Sequence, residues 1–166
     1  MFFGSKETSA FWIDALTQGW LQVKGGLGHI KRLVIDLDNG PHNSGRRRQF
    51  LKRLIEFADG SGLEIRLVYY PPYPSKYNPI EHCWGVLEQK WGGALLNCLK
   101  VILQEALRMR WCGKHPTVRR LAGNYADGVT VSNKEWKQYE ARLERSKTLP
   151  KYDIVSKPKE RSRQVN

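Results

Sequence analysis

The sequence predicts an α/β protein in which parallel strands alternate with helices, followed by a helical C-terminal extension. Between residues 31 and 91, short apolar runs and amphipathic segments alternate as strand, helix, strand and helix, and no convincing strand follows residue 93. A chain of 166 residues is long enough for one domain with a core. The expected organisation is an α/β core, a helical extension and a basic disordered tail, over residues 1–93, 94–146 and 147–166.

The N-terminal part predicts one helix and one strand. Met1–Gly4 is a short apolar segment that is typical of the end of a strand. Residues 8–22 carry apolar side chains at helical spacing, and Thr8 or Ser9 can cap the first turn. Glycines then end this helix. Residues 31–37 (KRLVIDL) form a short apolar run between turn-forming residues, which indicates a buried strand.

Residues 45–58 have the periodicity of an amphipathic helix, with basic residues largely on its other faces. The apolar stripe consists of Phe50, Leu51, Leu54, Ile55 and Ala58. Residues 59–62 form a turn, and residues 63–70 (LEIRLVYY) predict a second strand. Because a helix joins the two strands, we expect them to be parallel, with their carboxyl ends at one edge of the sheet.

A Pro/Tyr loop at residues 71–77 leads to a further helix, which begins at Asn78–Pro79 and runs to about Trp91. Asn at the N-cap, Pro at the first position and Glu81 at the third form an almost ideal helix start, including a capping box. Three later helices are expected, over residues 95–109, 116–125 and 133–146. The tail is basic and poor in apolar residues, which favours disorder.

The charge of the chain favours a polyanionic partner. Lys and Arg total 28 against 16 Asp and Glu, so the net charge is +12. The alternative is a generically basic surface that keeps the protein soluble. Ordinary solvated helix faces explain the basic clusters as well as phosphate contacts do. The residues expected to contact nucleic acid are Arg46, Arg47, Arg48, Lys76, Arg119 and Arg120.

The cysteines and the lengths of the apolar segments indicate the cellular compartment of the protein. Cys83, Cys98 and Cys112 are widely spaced and odd in number, which argues against a disulfide framework and favours a reducing cytoplasm. Cys112 and His115 have zinc-ligand spacing, but no Cys-x2-Cys pair supports a zinc site, and buried structural thiols are the better interpretation. No apolar run approaches the ~20 residues that a membrane span needs. We therefore expect a cytoplasmic protein without a membrane partner.

Acidic side chains follow the first strand and begin a later helix. Asp36 and Asp38 share one face of the strand, with Asp38 at its carboxyl end and Asp36 deeper as the second choice. Glu81 follows the loop that leaves the second strand, so we expect it in the same crevice. Hard oxygen ligands from different elements suit a divalent metal ion in phosphoryl transfer. Taken singly, Asp38 is also explained as a turn former and Glu81 as a helix cap.

Together these motifs resemble the catalytic core of DDE transposases, in the mariner-like branch of bacterial insertion-sequence enzymes and most closely the ISAzo-type family. The resemblance rests on Asp38-Asn39 after an apolar strand, a Pro-Pro-Tyr-Pro loop, and Asn78-Pro79-Ile80-Glu81 with a Trp three residues later. It extends over residues 3–153.

The resemblance implies an RNase H-like fold, of which residues 1–93 would form a part. It also implies that Asp38 is the second catalytic acid, that Glu81 is the third, and that both are ligands in a site for two Mg²⁺ ions. The partners implied are transposon ends and target DNA, with the full-length enzyme acting as a homo-oligomer. The tyrosines around the Pro/Tyr loop are interpreted as packing residues rather than as platforms for bases.

The first carboxylate of such a site is not evident. Upstream of Asp38 the acids are Glu7, expected in a turn, and Asp14, expected in the middle of a helix. We therefore expect the C-terminal portion of a DDE catalytic domain, truncated and inactive alone. The alternative is a non-catalytic DNA-binding remnant that competes with full-length transposase at the element ends. An independent nuclease or resolvase is less favoured, because it would need its first acid within this chain.

Overall fold

The computed structural model describes residues 1–70, 78–93 and 95–160. Its elements in chain order are β1 (Phe2–Phe3), α1 (Ser9–Val23), β2 (Arg32–Leu37), α2 (Arg48–Ser61), β3 (Glu64–Tyr69), α3 (Pro79–Trp91), α4 (Leu99–Arg108), β4 (Arg119–Arg120), α5 (Asn133–Glu140), β5 (Leu143–Arg145) and β6 (Asp153–Ser156). The expected α/β class is confirmed.

The chain forms two compact units that are interleaved in sequence. Lys6–Pro72 and Asn124–Asn166 build the larger unit, and Met1–Ser5 and Tyr73–Gly123 build the smaller one. The larger unit contains a four-stranded sheet of order β2-β3-β6-β5, and the smaller unit contains the two-stranded pair β1-β4.

Strands β2 and β3 are parallel, as expected for two strands joined by a helix. Their register places Leu37 opposite Tyr69, and the backbone N–H of Tyr70 donates to the carbonyl of Leu37 at 2.9 Å. Both strands therefore end at the same edge of the sheet. Strand β6 then pairs antiparallel with β3, and β5 pairs antiparallel with β6, so the sheet is mixed.

The helices of the larger unit begin and end for local reasons. The Thr8 hydroxyl caps α1 by accepting from the N–H of Phe11 at 3.2 Å, as expected. The expected apolar stripe of α2 is buried in the core against the sheet. Helix α2 starts later than expected, at Arg48, and ends at Ser61. Gly62 caps it with a left-handed φ of 74°, which suits glycine.

Strand β2 was expected to be a buried strand, and that expectation is wrong. It lies at the edge of the sheet, where its residues alternate between partly buried and exposed. Val34 is 51% exposed, and Asp36 on the same face is also exposed rather than lying deep. The apolar run predicted burial, but one face of the strand, which carries Val34, is exposed to solvent.

The C-terminal half differs most from the expectation of helices and a disordered tail. Residues 116–125 are not helical and contain β4, which pairs in parallel with β1. Helix α4 begins at Leu99 rather than at residue 95, and α5 ends at Glu140 and is followed by β5. The expected disordered tail contains β6, whose Ile154 is 1% exposed. Strands β4 and β6 pair with β1 and β3, which lie far away in sequence, and local composition does not reveal such pairings.

The smaller unit has its own core, formed by Cys83, Leu87, Ala106 and Met109. Cys98 and Cys112 are exposed, so the interpretation as buried thiols is wrong for two of the three cysteines. The imidazole of His115 is held by the carbonyl of Met109 at 2.9 Å on Nδ1 and by Arg110 at 3.1 Å on Nε2. Across residues 1–70, 78–93 and 95–160, no helix is long and apolar enough to cross a membrane.

Candidate functional site

Asp38 lies directly after β2, at the sheet edge where β2 and β3 both end, and it is exposed. This is the edge at which open α/β sheets bind their ligands. The chain turns sharply here because Asn39 adopts a left-handed φ of 63°, a conformation that asparagine tolerates better than most residues. The turn leaves the Asp38 carboxylate at the end of the strand.

The two oxygens of this carboxylate have different surroundings. Oδ1 accepts from the backbone N–H of Gly40 at 3.2 Å and from the Nδ2 amide of Asn43 at 3.0 Å. Within the described part of the chain, Oδ2 accepts no hydrogen bond. Two donors therefore hold one oxygen of a carboxylate whose residue is exposed. A hard anionic oxygen of this kind fits a divalent cation such as Mg²⁺.

The loop that carries Asp38 is fixed to the sheet below it. The Tyr69 hydroxyl donates to the carbonyl of Asn43 at 2.8 Å, and Arg145 donates to the carbonyl of Gly45 at 3.1 Å. Burial raises the pKa of Tyr69 above its usual value, and the negative charge of Asp38 raises it further, so the phenol remains a donor at neutral pH. The packing role expected for Tyr69 is confirmed.

Glu81 lies in the first turn of α3, as expected. The Asn78 side chain accepts from the N–H of Ile80 at 3.4 Å, and Pro79 occupies the first helical position. The reciprocal bond of a capping box, from the Asn78 N–H to the Glu81 carboxylate, is not formed. Glu81 is exposed, and no residue among those described donates a hydrogen bond to its carboxylate. The helix start is thus confirmed, and the Glu81 carboxylate has no capping role.

Asp38 belongs to the larger unit and Glu81 to the smaller, so their convergence stays a prediction. The residues described contain no cluster of three or more His, Cys, Asp or Glu side chains that could hold a metal ion. The loop between β3 and α3, expected to bring the two acids together, lies outside the described residues, as does Lys76.

The two upstream acids have other partners. Glu7 accepts from the indole N–H of Trp12 at 3.1 Å. Asp14 on α1 is paired with Arg53 of α2 and accepts from the hydroxyl of Tyr125 at 3.2 Å. Both carboxylates are thus engaged by partners within the larger unit.

The described basic residues that were expected to contact nucleic acid differ in exposure and in their partners. Arg46, Arg119 and Arg120 are exposed, and within the described residues no ion pair engages them. Arg48 instead donates to Asn133 at 2.6 Å and lies 5.8 Å from the ring of Trp136. Arg47, just before α2, is half-buried.

Two residues at this loop were not anticipated from the sequence. Asn43 holds Asp38, and Gly45 has no room for a side chain, since a Cβ there would lie 2.9 Å from both Ile154 Cδ1 and the carbonyl of Lys151. The Asn-Ser-Gly sequence at residues 43–45 signals a turn but not its partners. His42 lies in this turn, and its carbonyl accepts from the hydroxyl of Ser9 at 2.7 Å.

Comparison with known proteins adds a family to this geometry. Residues 1–158 match the family described as the Rhodopirellula transposase DDE domain. No curated protein and no solved structure matches the chain. Because the family match spans nearly the whole chain, the protein belongs to the family of Rhodopirellula transposase DDE domains.

Proposed function

We propose that Asp38 and Glu81 are two carboxylates of a DDE site that cuts and joins DNA strands during transposition. The observation that carries this proposal is the Asp38 carboxylate, exposed at the shared end of β2 and β3 with its Oδ1 held by two donors. Ligands of open α/β sheets bind at this edge. Membership of a transposase DDE-domain family supplies the reaction class.

We further propose that β2, α2 and β3 form part of an RNase H-like core of the mariner-like type. A parallel strand-helix-strand unit with an acid at the end of its first strand supports this assignment. The mixed pairing of β6 and β5 extends the same sheet beyond β3.

In this proposal each side chain has a defined task. Asp38 binds the cation through Oδ2, while Gly40 and Asn43 prevent rotation of its carboxylate. Glu81 presents an unengaged carboxylate from the first turn of α3. Bound Mg²⁺ ions would supply activation of the attacking oxygen and neutralisation of charge on the scissile phosphate. The exposed Arg46, together with the exposed pair on β4, contacts DNA phosphates.

Metal binding tests the proposal with matched controls. Mn²⁺, a paramagnetic substitute for Mg²⁺, is titrated into the unchanged chain and into the Asp38→Asn variant to measure binding affinity. The control is the Asp36→Asn variant. Asp36 is an exposed aspartate within β2, two residues before Asp38, so its loss removes the same charge. We expect Asp38→Asn to weaken binding by about tenfold or more, and Asp36→Asn to change it by less than about twofold. Equal effects of the two substitutions would contradict a specific role for Asp38.

Glu81 is tested in the same way. Glu81→Gln removes the proposed ligand, and Glu88→Gln removes another exposed acid of α3. Weaker Mn²⁺ binding in Glu81→Gln alone is the expected result. If Glu88→Gln weakens binding as much, Glu81 contributes only general negative charge.

A second candidate function is a DNA-binding remnant that competes with full-length transposase at the element ends. The net charge of +12 and the exposed Arg119 and Arg120 favour it. In a mobility-shift assay, replacing both arginines with Ala should reduce the slope of log affinity against log salt by about one per lost phosphate contact. Tighter binding to end DNA than to random DNA would support competition at the ends, and equal weak binding to both would refute it.

A further inference from the structure

The side-chain amide of Asn43 donates to the carboxylate that the proposed function assigns to metal binding. We infer that Asn43 is a positioning residue, which fixes the Asp38 carboxylate so that Oδ2 faces the ligand. This inference rests on the proposed function of Asp38. It adds a residue that touches neither the metal nor DNA and acts only through its hydrogen bond to Asp38.

The contact is specific in geometry. Asn43 Nδ2 lies 3.0 Å from Asp38 Oδ1, the same oxygen that accepts from the N–H of Gly40 at 3.2 Å. Two donors on one oxygen fix the rotation of the carboxylate, since each bond is directional. Donors that hold a ligating carboxylate in this way also tune how tightly it binds its metal.

The backbone that carries the Asn43 side chain is fixed by hydrogen bonds within the protein itself. The backbone N–H of Asn43 donates to the carbonyl of Gly40 at 3.3 Å, and its own carbonyl accepts from the Tyr69 hydroxyl at 2.8 Å. Tyr69 is itself a buried core residue of β3. The position of the Asn43 donor is therefore set by the sheet and not by Asp38 alone.

Packing alone does not account for an amide at this position. Asn43 is 3% exposed, and its Oδ1 has no hydrogen-bond partner within the part of the chain that the structure describes. Burying an acceptor without a partner costs free energy, and an apolar side chain of the same shape would avoid that cost. The contribution specific to asparagine is thus the bond from Nδ2 to Asp38.

The test compares Mn²⁺ affinity in the full chain and in variants of this loop. Asn43→Leu keeps the branched shape of the side chain, although leucine is larger, and removes the donor. Asn43→Ala removes the donor while keeping both backbone contacts, and it provides a second variant if Asn43→Leu does not melt cooperatively. The matched control is Ser9→Ala, because Ser9 is equally buried and its hydroxyl contacts the same loop at His42, without reaching Asp38.

We expect either Asn43 variant to weaken Mn²⁺ binding by about 10- to 100-fold, with Ser9→Ala within about twofold of the unchanged chain. The inference alone is overturned if Asp38→Asn abolishes binding while both Asn43 variants bind as the unchanged chain does. It is also overturned if Ser9→Ala weakens binding as much as they do, since a general loosening of the loop would then suffice. If Mn²⁺ binding does not depend on Asp38, the proposed function and the inference both fail.

Discussion

Gly45 offers the sharpest test of how the Asp38 loop is attached to the sheet. A Cβ at this position would lie 2.9 Å from Ile154 Cδ1 and 2.9 Å from the carbonyl oxygen of Lys151, and 3.2 Å from a ring carbon of Tyr69. The Ile154 side chain can shift a little, but the Lys151 carbonyl belongs to the backbone. Gly45→Ala must therefore move either the loop or the segment that leads into β6.

The expected cost is that of overpacking a filled site, about 1–3 kcal/mol in the free energy of unfolding. The same shift strains the bond from the Gly45 N–H to Asn39 Oδ1, 3.4 Å long in the native loop. Urea denaturation followed by circular dichroism measures the change, provided that the dependence on urea is the same for both proteins.

Gly60→Ala is the matched control. Gly60 lies within α2, and a Cβ there would meet nothing within 4 Å. Alanine at this position should stabilise the protein by about 0.5–1 kcal/mol, because glycine is the poorer helix former. The two glycine substitutions should thus have opposite signs. If Gly45→Ala lowers the free energy of unfolding by less than about 0.5 kcal/mol, the loop is not closely packed at this position.

Three further predictions concern the sheet, an ion pair and the reaction. Ile154→Ala should cost about 2–5 kcal/mol in a urea titration because β6 is a core strand, whereas Val34→Ala on the open face should cost far less. The Arg142 guanidinium holds the pKa of Asp59 below its usual 3.8, so their pair stabilises the fold above about pH 4 and less as the pH falls through the lowered pKa. Asp59→Asn should therefore cost about 1 kcal/mol at pH 7, and the difference should shrink in titrations at lower pH; a pH-independent difference would contradict this. Finally, the chain alone should not nick transposon-end DNA with Mg²⁺ or Mn²⁺, and nicking that Asp38→Ala abolishes would refute that expectation.

The first half of the fold could be predicted from sequence because its signals are local. Periodicity located α1 and α2, and the Thr8 and Asn78 caps set the starts of α1 and α3 within a residue. The parallel pairing of β2 with β3 followed from the helix between them. The local sequence pattern did not reveal that β2 is an edge strand of the sheet, which leaves Val34 exposed.

The prediction for the second half was wrong because its strands are short, and because β4 and β6 pair with strands far away in sequence. Strand β6 has four residues within a basic segment, and its partner β3 lies far upstream in the chain. Strand β4 has two residues and pairs with the N-terminal segment. The candidate site shows the same division: Asp38 and Glu81 are proposed from motifs, whereas Asn43 and Gly45 owe their roles to contacts with β3 and with the segment around β6.

The central proposal, that Asp38 and Glu81 belong to one metal site, is tested most directly by paramagnetic broadening in a heteronuclear NMR titration with Mn²⁺. If the two acids share a site, backbone amide signals near Asp38 and near Glu81 broaden together with one midpoint, and Asp38→Asn removes both effects. If signals near only one residue broaden, or if Asp38→Asn leaves the broadening around Glu81 unchanged, the two carboxylates do not form one site.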